Sequence, residues 1–322
     1  MRAIQVREFG GPEVLRIADV PDAEAGPGQA VVRTEAVDVI YLDTLLRNGW
    51  GGDFFPIEPP YVPGGGAAGT VTAVGEGVDP ALVGRRVVAR GAGAYAERFA
   101  AAADELVEVP DAVTAVDAAG LVHDGVTALS LARTGKLVPG EWVLVAAAAG
   151  GAGSLLVQLA RDAGAHVVAA ARGERKLALA RELGADVVVD YSVASWQERA
   201  REATGGAGVD LAFDGAGGPL GRAVFEAVAD GGRFLTYGTA GGGFADIDPA
   251  TAEARGVRAV NTLEDGPHPP AVVRELLGEA LRLTAQGRIR PAIGATFPLE
   301  CAADAHRSLE ARATVGKSLL LL

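Results

Sequence analysis

The apolar run Trp142-Val143-Leu144-Val145 is followed, after Ala146, by Ala147-Ala148-Ala149-Gly150-Gly151-Ala152-Gly153, and then by the helical run Leu155-Leu156-Val157-Gln158-Leu159-Ala160. Strand, tight glycine turn and helix in this order leave few folds open. The turn must bring a strand end close to a helix start and aim backbone amides outward, as a dinucleotide fingerprint requires. Read as G-x-G-x-x-G, the first glycine is replaced by Ala148. Gly150 lets the backbone approach a pyrophosphate, and Gly153 lets the helix pack closely on the strand. Free amides at the helix start, from Gly151 and Ala152 onward, then meet the phosphates. The alternative is an Ala/Gly-rich turn without a ligand.

The surroundings favour the ligand-binding reading. From about Ala118 apolar strands alternate with helical stretches: His166-Val167-Val168-Ala169-Ala170, Asp186-Val187-Val188-Val189, Val209-Asp210-Leu211-Ala212-Phe213, Arg233-Phe234-Leu235-Thr236-Tyr237 and Val257-Arg258-Ala259-Val260. That rhythm predicts parallel βαβ units with helices on both faces, an α/β doubly wound sheet. The preceding hundred or so residues carry short strand-like runs closed by turn residues, such as Ala30-Val31-Val32-Arg33-Thr34, and predict a β-rich domain. A helix is expected over 271–286, and Leu319-Leu320-Leu321-Leu322 closes the chain as a strand.

At the end of the second strand an NAD site would place an acid on the adenosine ribose. Here stand Ala171-Arg172-Gly173-Glu174-Arg175-Lys176, so Arg172 and Lys176 are suited to pair with a 2′-phosphate, and NADPH is the expected cofactor. The alternative is a cationic start to a solvated helix. Glu174 opposes the NADPH reading unless it turns outward.

Composition narrows the partners. The 29 Lys and Arg against 41 Asp and Glu give a net charge of −12, which repels nucleic acid and anionic membrane surfaces. With Cys301 as the single cysteine, no intramolecular disulfide forms and no cysteine cluster holds a metal. The start Met1-Arg2-Ala3-Ile4-Gln5-Val6 reads as an edge strand without a signal-peptide core, so a cytoplasmic location is expected.

Further motifs carry a family resemblance. They are Pro63-Gly64-Gly65-Gly66-Ala67-Ala68-Gly69-Thr70, Gly93-Ala94-Tyr95-Ala96-Glu97, Gly125-Val126-Thr127-Ala128, Glu182-Leu183-Gly184-Ala185-Asp186 and the closing segment from Ala305-His306 to Lys317-Ser318-Leu319. In this order and spacing the chain resembles the medium-chain dehydrogenase/reductase superfamily, in its zinc-independent quinone oxidoreductase branch. The resemblance implies a GroES-like catalytic domain over 1–117, a Rossmann NADPH-binding domain over 118–262, a return to the catalytic domain over 263–322, and a homodimer. It also implies no metal. Zinc-using relatives carry a Cys three residues before a conserved Asp and a Gly-His-Glu triplet; here Asp43 is preceded at that offset by Ile40, and the triplet is Gly64-Gly65-Gly66. The Cys-rich structural-zinc lobe is absent between residues 90 and 103.

Without a metal the chemistry left is hydride delivery to an acceptor activated by conjugation, a small quinone or α,β-unsaturated carbonyl. The candidate substrate residues are Ile40, Leu45, Trp50 and Tyr61, with Tyr41 and His123 as candidate catalytic groups. Quinone reductases commonly carry Asn where Ile40 stands and Tyr where Leu45 stands, so this pocket is more apolar, with Tyr41 the nearby hydroxyl. Tyr41 and Trp50 have an alternative as core or interface aromatics, and His123 as a hinge residue. Candidate cofactor contacts are Thr127, Ala148, Gly150, Gly151, Ala152, Gly153, Arg172, Lys176, Gly215, Gly238 and Thr239, to which the resemblance adds Tyr191 and Arg312 at the 2′-phosphate. Asp43 and Arg47, one helical turn apart, are expected to form a structural ion pair, and Asp214 to cap the turn after its strand. His166, His268 and His306 have no partners apparent in sequence, and Cys301 is expected to be buried. A 2-enoyl thioester reductase, a natural-product tailoring reductase and a non-catalytic NADPH-binding sensor or scaffold are the competing functions.

Overall fold

The structure, a computed structural model, describes residues 1–52, 55–262, 264 and 266–322. The chain forms two compact units, Met1–Val126 with His268–Leu322, and Thr127–Pro267. In chain order the first unit contains β1 (Arg2–Val6), β2 (Leu15–Asp19), β3 (Gln29–Val39), α1 (Tyr41–Arg47), β4 (Gly66–Val74), β5 (Arg86–Arg90), β6 (Arg98–Ala102), β7 (Val107–Glu108) and α2 (Ala115–Leu121). Helix α3 (Asp124–Gly135) crosses the division. The second unit runs β8 (Trp142–Ala146), α4 (Gly151–Asp162), β9 (His166–Ala171), α5 (Glu174–Glu182), β10 (Val187–Asp190), α6 (Trp196–Glu202), β11 (Val209–Asp214), α7 (Gly218–Glu226), β12 (Val228–Thr236), α8 (Pro249–Ala254) and β13 (Arg258–Asn261). The chain then returns to the first unit with α9 (Pro270–Ala285), β14 (Ile293–Pro298), α10 (Ala302–Glu310) and β15 (Lys317–Leu321). No helix among the described residues is long and apolar enough to cross a membrane.

The first unit is β-rich, and β3 is its spine. The amino-terminal half of β3 pairs with β6 and its carboxyl-terminal half with β15, all antiparallel, while β4 runs along it with two register shifts. These shifts let one eleven-residue strand serve neighbours at both ends. One side of the sheet buries Val32, Val37, Val39, Phe99 and Leu320 with Ile4 and Leu299. Helix α2 packs on β3, β4 and β15, which is why the first unit extends through Val126.

In the second unit the order is β10-β9-β8-β11-β12-β13, every pair parallel. Parallel strands with both faces covered must be apolar throughout. Accordingly Val143, Leu144, Val145, Val167, Val168, Leu211 and Phe213 have no exposed surface, each large side chain contributing about 1.5–3 kcal/mol by burial. The strand order reverses between β8 and β11, whose carboxyl ends align as Ala146 opposite Asp214. A doubly wound sheet binds ligands outside the carboxyl ends at such a switch point.

Candidate functional site

The turn after β8 carries its left-handed residue at Ala147, φ 54°, and the Ala148 amide donates to the Ala170 carbonyl of β9 at 3.1 Å. Gly150 caps α4 in extended conformation, and its N–H donates to Ala147 at 2.9 Å. A Cβ on Gly153 would stand 2.3 Å from the Ala147 carbonyl oxygen, so this glycine lets helix and turn touch. On Gly150 a Cβ would meet only that oxygen, at 3.3 Å. Helix geometry leaves the first-turn amides of Gly151, Ala152 and Gly153 without partners inside α4, the arrangement that receives a pyrophosphate.

Asp214 fixes the neighbouring loop as expected. Its carboxylate accepts from the amides of Ala216 at 3.0 Å and Gly217 at 2.9 Å, and from the Thr236 hydroxyl at 3.0 Å. Burial raises this carboxyl above its ordinary range against those hydrogen bonds. Gly215 and Gly238 face each other: a Cβ on Gly238 would lie 2.2 Å from the Gly215 carbonyl oxygen. Their lack of side chains therefore already answers to loop packing. Thr239 follows in that loop, half-buried, and Thr127 is half-buried on α3.

At the end of β9, Arg172 is exposed and Lys176 half-buried in the first turn of α5. Glu174 turns along the helix to Arg181, at 2.5 Å. Sequence reasoning missed Asp190, which ends β10 in register with Ala171. It accepts from the Gly173 amide at 3.1 Å and from the Ser192 amide and hydroxyl at 2.9 and 2.6 Å, so it braces the turn that carries Arg172. The Ser192 hydroxyl, with those amides and Arg172, holds the Asp190 carboxyl low. Tyr191 is half-buried, edge-on to Trp196. Arg312 belongs to the first unit, on a left-handed bend after α10 with φ 54°.

In the first unit Ile40 precedes α1 and gives its amide to Asp43 at 2.9 Å, and Leu45 is half-buried on that helix. Tyr41 and Trp50 are 40% and 58% exposed, so neither is a core aromatic of its unit. Tyr61 forms a backbone bridge with Val6, and its buried hydroxyl has no hydrogen-bond partner among the described residues. Burial and the nearby Asp43 push this phenol up to about 12. His123 stands in the break between α2 and α3 and bonds through Nδ1 to Asp38 at 2.7 Å.

The expected Asp43–Arg47 ion pair does not form. Arg47 is fully buried and turns to Glu310, Gly10 and His306, while Asp43 accepts from the Tyr95 hydroxyl at 3.1 Å. Tyr95 also bonds His306 Nε2 at 3.0 Å. Helix α10 thus supplies the partners of Arg47, while Tyr95 links Asp43 to His306, which is a buried structural residue. Burial raises the Asp43 carboxyl to about 6 and, with the Arg47 charge, lowers His306 to about 3. Cys301 is half-buried at the start of α10, not fully buried. Among the described residues no group of three or more His, Cys, Asp or Glu side chains is arranged to hold a metal ion.

Family models match in two stretches: the alcohol dehydrogenase GroES-like domain over residues 26–111 and a zinc-binding dehydrogenase domain over residues 183–320. A quinone oxidoreductase of Pseudomonas aeruginosa is 34% identical over 328 residues, covering 99% of each chain. A 2-haloacrylate reductase of a Burkholderia species is 33% identical over 340 residues, 99% of this chain and 98% of that protein. Among solved structures, Escherichia coli quinone oxidoreductase complexed with NADPH matches with a TM-score of 0.92 at 29% identity over the whole of both chains. Likeness of this extent, on a GroES-like unit and a Rossmann sheet whose zinc-ligand positions are Ile40, Gly65 and Gly66, means that the chain belongs to the medium-chain dehydrogenase/reductase superfamily, in its zinc-independent quinone oxidoreductase branch.

Proposed function

We propose that this chain is an NADPH-dependent, zinc-independent reductase that passes a hydride to a small quinone or α,β-unsaturated carbonyl. The observation that carries the reading is the coexistence of a phosphate-cradling turn, Ala147 to Gly153, with metal-ligand positions filled by Ile40, Gly65 and Gly66. Isoleucine and glycine offer no electron pair to a metal, so the acceptor has to be activated by its own conjugation.

The residues present fit the cofactor. The α4 amides with Gly150 and Gly153 would hold the pyrophosphate, and Arg172 and Lys176 beside Tyr191 the 2′-phosphate, with Glu174 drawn off by Arg181. Thr127, Gly215, Gly238 and Thr239 complete the nucleotide contacts of this reading. When bound, NADPH supplies the hydride. Ile40, Leu45 and Trp50 give the substrate apolar surface. Tyr61, with its phenol pushed up to about 12, stays protonated at neutral pH and donates a hydrogen bond, and the Tyr41 hydroxyl is a second donor. His123 holds the proton that reduction consumes. The reading includes a homodimer, which sedimentation tests.

A second reading is favoured by the likeness to a 2-haloacrylate reductase and by apolar Ile40 and Leu45: the acceptor is the alkene of a conjugated acid or thioester. The deciding experiment follows NADPH oxidation with 1,2-naphthoquinone, a 2-alkenal, 2-chloroacrylate and crotonyl-CoA, before and after chelation. Turnover of the quinone or alkenal, unchanged by chelator, is expected. Turnover of chloroacrylate or crotonyl-CoA alone moves the assignment to the second reading. Tight NADPH binding with no acceptor reduced makes the chain a sensor or scaffold, and activity that requires one bound zinc per chain overturns the proposal.

A further inference from the structure

The first unit buries a line of charges that its packing does not require. Asp38 lies on β3 opposite Leu319 of β15, and strand alternation sends its side chain away from Val37 and Val39 of the apolar core. The side chain is fully buried and bound at both oxygens. Oδ2 meets His123 Nδ1 at 2.7 Å, and Oδ1 pairs with the Lys317 ammonium. Lys317, also buried, reaches on to Asp124 Oδ2 at 2.7 Å. His123 is the outer end of this line, its side chain one-fifth exposed (20%), and a Cβ placed on Gly65 would lie 3.3 Å from its Nε2. The free edge of the imidazole therefore faces the position where zinc-using relatives carry their second ligand.

Burial alone would raise the Asp38 carboxyl, but Lys317 and His123 outweigh it and hold it below its ordinary range. Burial would likewise lower the Lys317 ammonium, and Asp124 with Asp38 raises it instead. Arg90 and Asp43 are further ionisable groups within electrostatic reach of Asp38. Ion groups taken out of water cost several kcal/mol each unless paired this completely, and hydrophobic residues of like volume would hold the same elements together.

We propose that Asp38 and Lys317 are positioning residues that act through His123, holding its ring with Nδ1–H on Asp38 so that Nε2 is the atom that delivers the proton of the reduction. This rests on the reductase reading above. Bound NADPH would supply the hydride to the β-carbon of an enone, and the electron pair displaced from the alkene toward the carbonyl then needs a proton from the chain. The Nε2–H bond of the imidazolium then breaks, its proton forms an O–H or α-C–H bond, and the neutral ring takes a replacement proton from water. Lys317 keeps Asp38 ionised so that it accepts from Nδ1–H in both states of the ring. A tautomer fixed by a buried carboxylate is the logic of the serine-protease triad, reached here on an unrelated sheet.

The test is nitrogen NMR of the full chain labelled at histidine, with His123→Gln to assign the signal, alongside steady-state kinetics with NADPH and 1,2-naphthoquinone. In the wild type the neutral ring is expected to carry its proton on Nδ1. Asp38→Asn should move that proton to Nε2, because the amide can donate to Nδ1. It should also lower kcat by about 10²- to 10⁴-fold, the usual contribution of general acid catalysis, with the KM for NADPH within about twofold. Combined with His123→Gln it should add no further loss. Asp124→Asn should shift both readouts the same way but less, and carries the test if Asp38→Asn does not fold. An unchanged tautomer, or full kcat in folded His123→Gln, overturns the proposal. A wild type inert toward every acceptor ends the parent reading instead, and the tautomer still decides whether Asp38 and Lys317 govern the ring.

Discussion

In the second unit the buried polar side chains among the described residues are Ser154, Gln158, Asp214 and Thr236, whereas the first unit buries, besides Thr34, Thr44 and Ser318, the ionisable Asp38, Asp43, Arg47, His306 and Lys317. The second unit satisfies its few close at hand: Ser154 bonds Gly151 at 2.8 Å, Gln158 bonds Ser154 at 2.9 Å, and Asp214 and Thr236 bond across adjacent strands. In the first unit Arg47 and Asp38 find partners on the returning end of the chain, Glu310 and His306 on α10 and Lys317 on β15. Cofactor binding by backbone amides needs few buried charges. Moving a proton without a metal needs groups whose protonation the fold controls.

The sharpest way to break this contrast is Gly153→Val. A branched side chain cannot fit where a Cβ would already stand 2.3 Å from the Ala147 oxygen, so NADPH binding measured by calorimetry should be abolished. Undiminished affinity in a folded variant would mean that the amides of α4 are not the phosphate site.

A smaller effect sharpens the other half, through acid stability. His306 titrates near 3 in the folded chain instead of 6.5, so below pH 6.5 the unfolded chain takes up a proton that the folded chain refuses, and stability falls as pH drops toward 3. Asp43, raised from 3.8 to about 6, works oppositely: between those values the folded chain holds the extra proton, and stability rises as pH falls. The two largely cancel between about pH 4 and 6. Asp43→Asn removes one of them, so its stability in urea titrations should fall over that window with a slope approaching one proton, about 1.4 kcal/mol per pH unit. Identical slopes in variant and wild type would show that the cluster does not hold these protonation states.

What was legible in the sequence follows the same division. The strand, glycine turn and helix from Trp142 to Ala160 could be read because they are contiguous in sequence, and Arg172 and Lys176 stand where the end of β9 meets α5, as their position in the chain implied. The left-handed bend at Ala147 was not legible, since φ is not written in an Ala-Ala-Ala run. The spacing of Asp43 and Arg47 suggested a pair on one helix face. It misled because Glu310, 263 residues from Arg47, competes for the guanidinium, and no local pattern marks so distant a partner. Asp38 and Lys317 escaped notice for the same reason, being single charges inside strand-like runs. Asp190 was hidden by its apolar strand and becomes visible only through its register with Ala171.

The central claim, that the second unit is built for a phosphorylated dinucleotide, is tested most directly by kinetics of the Arg172→Ala/Lys176→Ala double variant with NADPH and with NADH. Two charge-assisted hydrogen bonds made only to the 2′-phosphate are worth roughly 3–6 kcal/mol before desolvation and ordering costs. After those costs they should give the wild type a preference for NADPH on the order of ten- to a thousandfold in kcat/KM. The account predicts that the variant loses that preference through a steep rise in the KM for NADPH, less marked at high salt where the contacts are already screened, while NADH kinetics stay nearly unchanged. Equal losses with both cofactors would contradict it and assign these cations to the fold or the pyrophosphate.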